Sequence, residues 1–558
     1  MSSKYNVVTP FVKKDRQWPD KFITVNPEWC SVDLRDGNQA LPNPLTLDQK
    51  KEFYQLLLDV GFKSIEVGFP SASQEDFDFC RYIVEEDKIP ADVMISALAP
   101  CRPQLIVRTM EAMSGYKQAT LHFYVATSDL HREHVIGKTR EQTTEMVIEA
   151  IDCIKEEAKK YPETRFYLEF SPEEFTDTDM DFAIEICDTV VERWGPQADE
   201  QVILNLPATV ERRRPTDYAD MIEYFIENMK AARESVSISL HAHNDMGCAV
   251  ASSEMALQAG ADRVEGTLFG HGERSGNVDL ITLILNLDYL GVETGIDFSN
   301  LTEITETVTR LTGMKPHERH PYAGDLVFSA FSGSHQDAIH KCLEKKEDMA
   351  DVFGGWKIPY LHIDPSDIGR SFEKFIRINS QSGKGGIAHI IQLEHKIKLP
   401  RHAQVELAKH VQQYAEKVAR EISSDELTNV FKENFMNPQG GLQLVNYWPN
   451  PDEKDPAIIN ARVEVFFKGE KKELKAVDNG PISAYVSALK TGLDLPDFKL
   501  VNYEEDSCGE SSTADAVSFV DLEVEGVIYT GIGRDSNIDQ SAVKAVTAAI
   551  NKILIAQS

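Results

Sequence analysis

The stretch WCSVDLRDGNQALPNPLTLDQKKEFYQLLLDVGFKSIEVGFP, residues 29–70, decides how the chain is read. It opens with a short apolar run, WCSVDLRDG (29–37), passes through LDQKKEFYQLLLDVG (47–61) and ends on a second short run, KSIEVGFP (63–70). Apolar residues at helical spacing mark the middle segment as an amphipathic helix, and Gly61 is placed to stop it. Strand, helix and strand in so short a span form a βαβ unit with parallel strands.

Outward from this unit the pattern repeats. A helix is predicted from about Gln74, then DVMISALAP precedes a helix from about Pro103, and ATLHFYVATS one from about Glu141. FYLEFSPEE leads to a helix from about Thr178, VILNLPATVE to one from about Thr216, and VSISLHAHND to one from about Ala249. RVEGTLFGHGER and a helix from about Asn277 complete the series near Leu290. Eight strand–helix units predict an α/β fold, a (β/α)8 TIM barrel over residues 29–296, preceded by an N-terminal extension (1–28). An open doubly wound sheet is the alternative, and eight consecutive units suit closure better. Residues 297–430 read as a mostly helical linker region, broken by FGGWKIPYLHIDPSDIGR (353–370) and NSQSGKGGIAHI (379–390). From 431 to 558 the pattern turns to strands such as ARVEVFFKG and AVSFVDLEVEGVIYTGIGR, with helices near 481–490 and 540–554, which predicts a separate C-terminal α+β domain.

The 558 residues exceed what one core usually covers. Net charge is −32, from 58 basic and 90 acidic side chains. Such an excess argues against nucleic acid or an anionic membrane as partner, because either would be repelled. An anionic substrate would then need basic residues of its own. The eight cysteines form no CxxC pair and read as reduced core residues of an intracellular protein. The N-terminal segment lacks a signal-like apolar core, and no apolar run approaches the roughly eighteen residues of a membrane span. A cytoplasmic location is expected.

In a TIM barrel the reacting groups stand at the carboxyl ends of the strands. His241 and His243, in HAHND, lie two apart at the end of the seventh predicted strand and share one face. Asp36 ends the first unit and Asn277 follows the eighth. Two imidazoles, a carboxylate and an amide oxygen without sulfur suit Zn2+, Mn2+ or Mg2+. An HxH pair by itself is more often two ordinary strand histidines; the shared rim with Asp36 reverses that reading. Arg35, beside Asp36, is placed to hold an enolate or carbonyl oxygen as charge develops. Glu173 follows the fifth unit and Thr209 ends the sixth, and the Thr209 hydroxyl suits a substrate carboxylate. Glu169 is expected inside the barrel or paired with a cation there. His335, flanked by Gly and Ser in SGSHQDAI, reads as a mobile general base. GIGRDS lacks the third glycine of a dinucleotide fingerprint, and neither a P-loop nor a GxSxG elbow occurs.

SVDLRDGNQAL, EVGFP, LHAHNDMGCAVASS, EGTLFGHGERSGNVDL and SGSHQDAIHK together resemble the 2-isopropylmalate synthases of the longer bacterial and fungal type. The first, third and fourth are shared with a wider superfamily of acyl-CoA lyases and synthases. SGSHQDAI, PYLHIDPSDIGR and NSQSGKGG in one chain are narrower, and DNGPISAYVSAL extends the likeness into the C-terminal domain. The resemblance implies condensation of acetyl-CoA with 3-methyl-2-oxobutanoate and hydrolysis of the thioester, giving (2S)-2-isopropylmalate and CoA, the committed step of leucine synthesis. It implies a divalent cation on Asp36, His241 and His243 with Asn277 nearby, and K+ as an activator. It further implies active-site roles for Arg35, Glu173, Thr209, His335 and Tyr360, with His335 as base, oriented by Glu173. The C-terminal domain would bind leucine as an allosteric inhibitor, and a homodimer would let His335 serve the partner's barrel. The alternatives are another acetyl-CoA-dependent 2-oxo-acid synthase (citramalate or homocitrate type), a lyase on the same barrel, and a non-catalytic amino-acid sensor. The C-terminal domain argues against the lyase, and the intact Arg35, Asp36, His241 and His243 argue against the sensor.

Overall fold

Eight parallel strands close on themselves in sequence order: β1 (Glu28–Ser31), β2 (Ser64–Glu66), β3 (Met94–Pro100), β4 (Gln118–Ala126), β5 (Arg165–Glu173), β6 (Val202–Ala208), β7 (Val236–Ala242) and β8 (Arg263–Gly266). β8 pairs back onto β1, with Glu28 opposite Arg263 and Ser31 opposite Gly266. A helix follows each strand: α1 (Leu47–Val60), α2 (Gln74–Glu85), α3 (Pro103–Met113), α4 (Arg140–Ala158), α5 (Met180–Trp194), α6 (Pro215–Asn228), α7 (Ala249–Gln258) and α8 (Leu280–Tyr289). The fold is the TIM barrel expected from the repeating units. The computed structural model describes residues 9–330, 333–345, 355–372, 384–418, 422–508 and 515–557. Of NSQSGKGG, residues 379–383 lie outside this set.

Local signals account for the element ends. α1 begins in a capping box, where the Thr46 side chain accepts from the Gln49 backbone and the Gln49 side chain accepts from Thr46, and it stops at Gly61. α4 repeats the device with Thr139 and Gln142. α3 and α6 carry proline in the first turn, where no hydrogen bond is lost. Each helix buries one face; in α5 that face is Phe182, Ile186, Cys187, Val190 and Val191. Burying a side chain of this size contributes about 1.5–3 kcal/mol. Among the described residues no helix is long and apolar enough to cross a membrane.

The barrel interior departs from the usual layers of branched aliphatics. Period-two positions along the strands are polar and buried: Ser64 and Glu66 on β2, His122 on β4, Glu169 and Ser171 on β5, Asn205 on β6, Ser239 and His241 on β7, Arg263 and Glu265 on β8. Most bond one another across the strands, while Glu169 Oε2 and Asn205 Oδ1 are buried without a partner. Arg263 donates to Glu169 at 3.1 Å, to the Ser239 hydroxyl at 2.9 Å and to Glu265. Glu265 also accepts from Asn205 Nδ2 at 3.0 Å. Burial drives the Glu169 carboxyl far up, only partly offset by Arg263. Burial would raise Glu265 as well, but Arg263 and the bonds from Glu169 and His241 hold it ionised. Two carboxylates this close around one guanidinium favour the neutral form of Glu169 and the charged form of Glu265.

The chain divides into two compact units, residues 1–327 with 365–370, and residues 328–364 with 371–558. The first holds the barrel, followed by α9 (Leu301–Thr312). The second contains α10 (Gly333–Leu343), α11 (Lys384–His395), α12 (Arg401–Val418), α13 (Ser424–Phe431) and two antiparallel three-stranded sheets. One sheet has the order β11-β10-β9, from β9 (Leu442–Pro451), β10 (Ile458–Phe467) and β11 (Glu470–Asn479). The other runs β12 (Lys499–Cys508), β13 (Asp515–Val524), β14 (Val527–Asp535). α14 (Pro481–Gly492) and α15 (Ile538–Ala556) share a core with both sheets through Val463, Tyr485, Val520 and Val546. The opposite side chains of the second sheet, Val517, Phe519 and Ile532, join a separate core with Ile391 of α11, Leu407 of α12 and Phe431 of α13. This explains why β13 is buried along almost its whole length, whereas β10 alternates.

Candidate active site

At the carboxyl ends of the strands the barrel opens into a cavity of about 300 Å³. Arg35, Asp36, Glu173, Thr209, His241 and His243 line it, together with Phe69, Leu98, His122, Tyr124, Ser171, Asn205, Pro207 and Arg274. Asp36 is carried by a single tight turn, Asp33–Gly37, directly after β1. His241 lies within β7 and His243 just beyond it, so the strand's alternation brings both rings to one side, with centroids 5.2 Å apart.

One ligand atom from each of Asp36, His241 and His243 lies within 4.8 Å of the others. Asp36 Oδ2 stands 3.5 Å from His241 Nε2 and 3.7 Å from His243 Nε2. That oxygen is buried and accepts no hydrogen bond. Asn277 joins the group through a backbone bridge to His243. Its Nδ2 is spent on the His271 carbonyl at 2.8 Å, while its Oδ1 is buried without a partner. Orphaned buried oxygens beside two imidazoles are costly unless something cationic satisfies them. This donor set fits a divalent cation. A second cluster, His122, Glu169 and Glu265, has comparable spacing, but Arg263 already neutralises its carboxylates.

Neighbouring groups tune the set. Burial alone would raise the Asp36 carboxyl, but the Arg35 guanidinium and the two histidines hold it below the ordinary carboxylate range. Burial would lower His241, yet the Asp36 and Glu265 carboxylates lift it to about 9. Burial and the neighbouring His241 push His243 down to about 4, which leaves its ring neutral at physiological pH. Glu265 accepts from His241 Nδ1 at 3.0 Å and so orients that ring with Nε2 toward Asp36.

Arg35 is wedged between two carboxylates, Asp36 Oδ1 at 3.1 Å and Glu66. The other Glu66 oxygen takes His122 Nδ1 at 2.5 Å, and His122 Nε2 meets the Ser171 hydroxyl at 2.7 Å. The Thr209 hydroxyl accepts the Glu174 backbone N–H at 2.9 Å, leaving its own proton to donate into the cavity. Burial raises the Glu173 carboxyl above its usual range, against the pull of His131 and Arg35. Arg274, at φ +54°, ties the loops together by bonding Asp245 at 2.7 Å and the Thr209 carbonyl at 2.5 Å.

The structure thus gathers Arg35, Asp36, Glu173, Thr209, His241 and His243 around one cavity, with Asn277 bridged to His243 through the backbone. His335 and Tyr360 belong to the second unit, where their rings stack at 3.8 Å with an interplanar angle of 17°. Sequence reasoning had missed Glu66, Phe69, Leu98, His122, Ser171, Asn205 and Glu265. The available signal was a polar residue interrupting an otherwise apolar buried strand at period two, as in ATLHFYVATS and VILNLPATVE.

Comparison with known proteins covers the chain nearly from end to end. The HMGL-like family model matches residues 26–308, which contain the barrel and the candidate cation site. The model for the alpha-isopropylmalate synthase post-catalytic domain matches residues 325–392, and that of the LeuA allosteric (dimerisation) domain matches 421–554. A 2-isopropylmalate synthase of Acetoanaerobium sticklandii is 44% identical over 99% of this chain and 97% of its own length. That of Thermobifida fusca is 45% identical over 98% and 97%, and that of Saccharomyces cerevisiae 45% over 99% and 90%. With likeness of this depth from end to end, the chain belongs to the 2-isopropylmalate synthase family.

Proposed function

We infer that this chain condenses acetyl-CoA with 3-methyl-2-oxobutanoate, hydrolyses the thioester and releases (2S)-2-isopropylmalate and CoA. The observation that carries the reading is the convergence of Asp36, His241 and His243 on a cavity with an apolar side, with Asn277 bridged to His243 through the backbone and its Oδ1 buried without a partner. A divalent cation bound there would polarise the keto carbonyl of the oxo-acid. Thr209 donates its hydroxyl proton to the substrate carboxylate. Arg35, held rigid by Glu66 and Asp36, offers its guanidinium to the oxygen on which negative charge develops. Glu173, with its raised carboxyl, is suited to proton transfer, and we assign it together with His335 and Tyr360 to the enolisation and hydrolysis steps.

The lining supports a branched hydrocarbon side chain over a second carboxylate. Phe69, Leu98 and Pro207 supply hydrocarbon surface, and neither lining guanidinium is spare for a second carboxylate: Arg35 serves the reacting oxygen and Arg274 is paired with Asp245. A 2-oxoglutarate side chain would find no spare cation among the described lining residues. We further assign leucine feedback inhibition and homodimer assembly to the C-terminal domain, and a cytoplasmic location to the enzyme. The test is release of free thiol from acetyl-CoA with each of 3-methyl-2-oxobutanoate, pyruvate and 2-oxoglutarate, with and without leucine. No release with 3-methyl-2-oxobutanoate would overturn the assignment.

A further inference from the structure

Behind the apolar side of the cavity lies a buried cation that the chemistry above does not use. Lys50, on α1, is 1% exposed, and its ammonium pairs with Asp76 Oδ1 in the first turn of α2. The other oxygen, Asp76 Oδ2, accepts the backbone N–H of Phe69 at 2.7 Å. Ser73, the residue that caps α2, receives the Asp76 N–H at 3.3 Å, so the carboxylate is anchored from its own backbone as well. Gly68 lies against this carboxylate: its φ is +150°, and a Cβ there would stand 2.9 Å from Asp76. Only glycine lets the loop pass this close. The Gly68 carbonyl in turn accepts the Leu98 N–H at 3.1 Å. Phe69 and Leu98, two residues lining the cavity, are therefore tied through the single Gly68–Phe69 peptide unit to one carboxylate and one lysine.

Stability alone gives a poor account of the pair. Removing two charges from water is expensive, and an apolar pair of similar volume commonly serves a core as well or better. What a carboxylate adds is a charge-assisted hydrogen bond that holds a backbone amide in one place. We propose that Lys50 and Asp76 are positioning residues that fix the Phe69–Leu98 wall and thereby set which 2-oxo-acid side chain the site accepts. The proposal rests on the oxo-acid reading given above.

The experiment compares the wild type with Asp76→Asn, Lys50→Met, Phe69→Leu and the double variant Asp76→Asn/Phe69→Leu. For each, kcat/KM is measured with 3-methyl-2-oxobutanoate, 2-oxobutanoate and 4-methyl-2-oxopentanoate, alongside the melting temperature. The wall variants should lower the preference for 3-methyl-2-oxobutanoate by about tenfold, the discrimination a single methylene commonly commands. The KM for acetyl-CoA should stay near the wild-type value. The double variant should discriminate no worse than Phe69→Leu alone, because the pair acts through that residue. An unchanged preference in Asp76→Asn and Lys50→Met, with only the melting temperature lowered, would reduce the pair to structural support and overturn the proposal. Should both fail to fold, Phe69→Leu decides: unchanged selectivity there overturns it equally. Absence of thiol release by the wild type with every oxo-acid would instead overturn the underlying reading.

Discussion

His241 shows how much of the site depends on a side chain outside the cavity. Its Nε2 faces Asp36 while its Nδ1 is held by Glu265, which is itself braced by Arg263, Ser239 and Asn205. Glu265→Gln should keep the shape but weaken the brace, lowering divalent-cation affinity by about 10- to 100-fold. Metal content after dialysis, measured against the wild type, checks this; equal retention would refute it. Glu173 offers a pH test. Burial raises its carboxyl above the ordinary glutamate range. A base works deprotonated, so turnover should fall as pH drops through that raised value. Glu173→Gln should lower kcat by about 10²- to 10⁴-fold and erase the acidic limb from the residual profile. A limb that survives in the variant belongs to another group.

At the scale of elements, the loop between β8 and α8 carries much of the geometry in few residues. Gly270 accepts the Asn277 N–H at 3.1 Å, and Gly276 accepts the Asn244 N–H at 3.0 Å, so this turn positions both asparagines beside His243. Gly276 has φ +95°, and a Cβ there would lie 1.8 Å from the Gly270 carbonyl oxygen. Gly276→Ala should destabilise by about 2–4 kcal/mol and loosen Asn277. Calorimetry and metal content together check it: an unshifted melting temperature with full metal loading would contradict the packing. Three of the strands are short, three residues in β2 and four in β1 and β8. Their stability comes from closure and from the buried faces of the surrounding helices rather than from strand length.

At the scale of the molecule, the barrel unit and the second unit each bury a core of their own. Separate cores predict two calorimetric transitions. Leucine at about 100 times its Kd should stabilise the second by close to 3 kcal/mol, and a divalent cation with 3-methyl-2-oxobutanoate should move the first. A single transition shifted by both ligands would overturn that separation. The shared core of Ile391, Leu407 and Phe431 with Val517, Phe519 and Ile532 also governs how the C-terminal domain is removed. A chain ended near residue 430 is cut through that core, so its loss of leucine response must be read beside a stability control.

By itself the sequence determined the barrel, because the period of apolar residues, the caps and the stops are local properties of each segment. Eight strand–helix units in order leave closure as the economical outcome, and the rim positions of Asp36, Glu173, Thr209, His241, His243 and Asn277 follow from where each strand ends. The tertiary structure decided what those residues meet. That Asp36 Oδ2 and Asn277 Oδ1 are buried without hydrogen bonds, that Glu265 braces His241, and that Lys50 stands behind Phe69 are facts of distance between segments far apart in the chain. Polar residues inside buried strands, His122, Glu169 and Asn205 among them, were visible in the sequence but silent about their partners. Hydrogen bonds and charge pairs across a barrel depend on register and closure, which no single segment encodes.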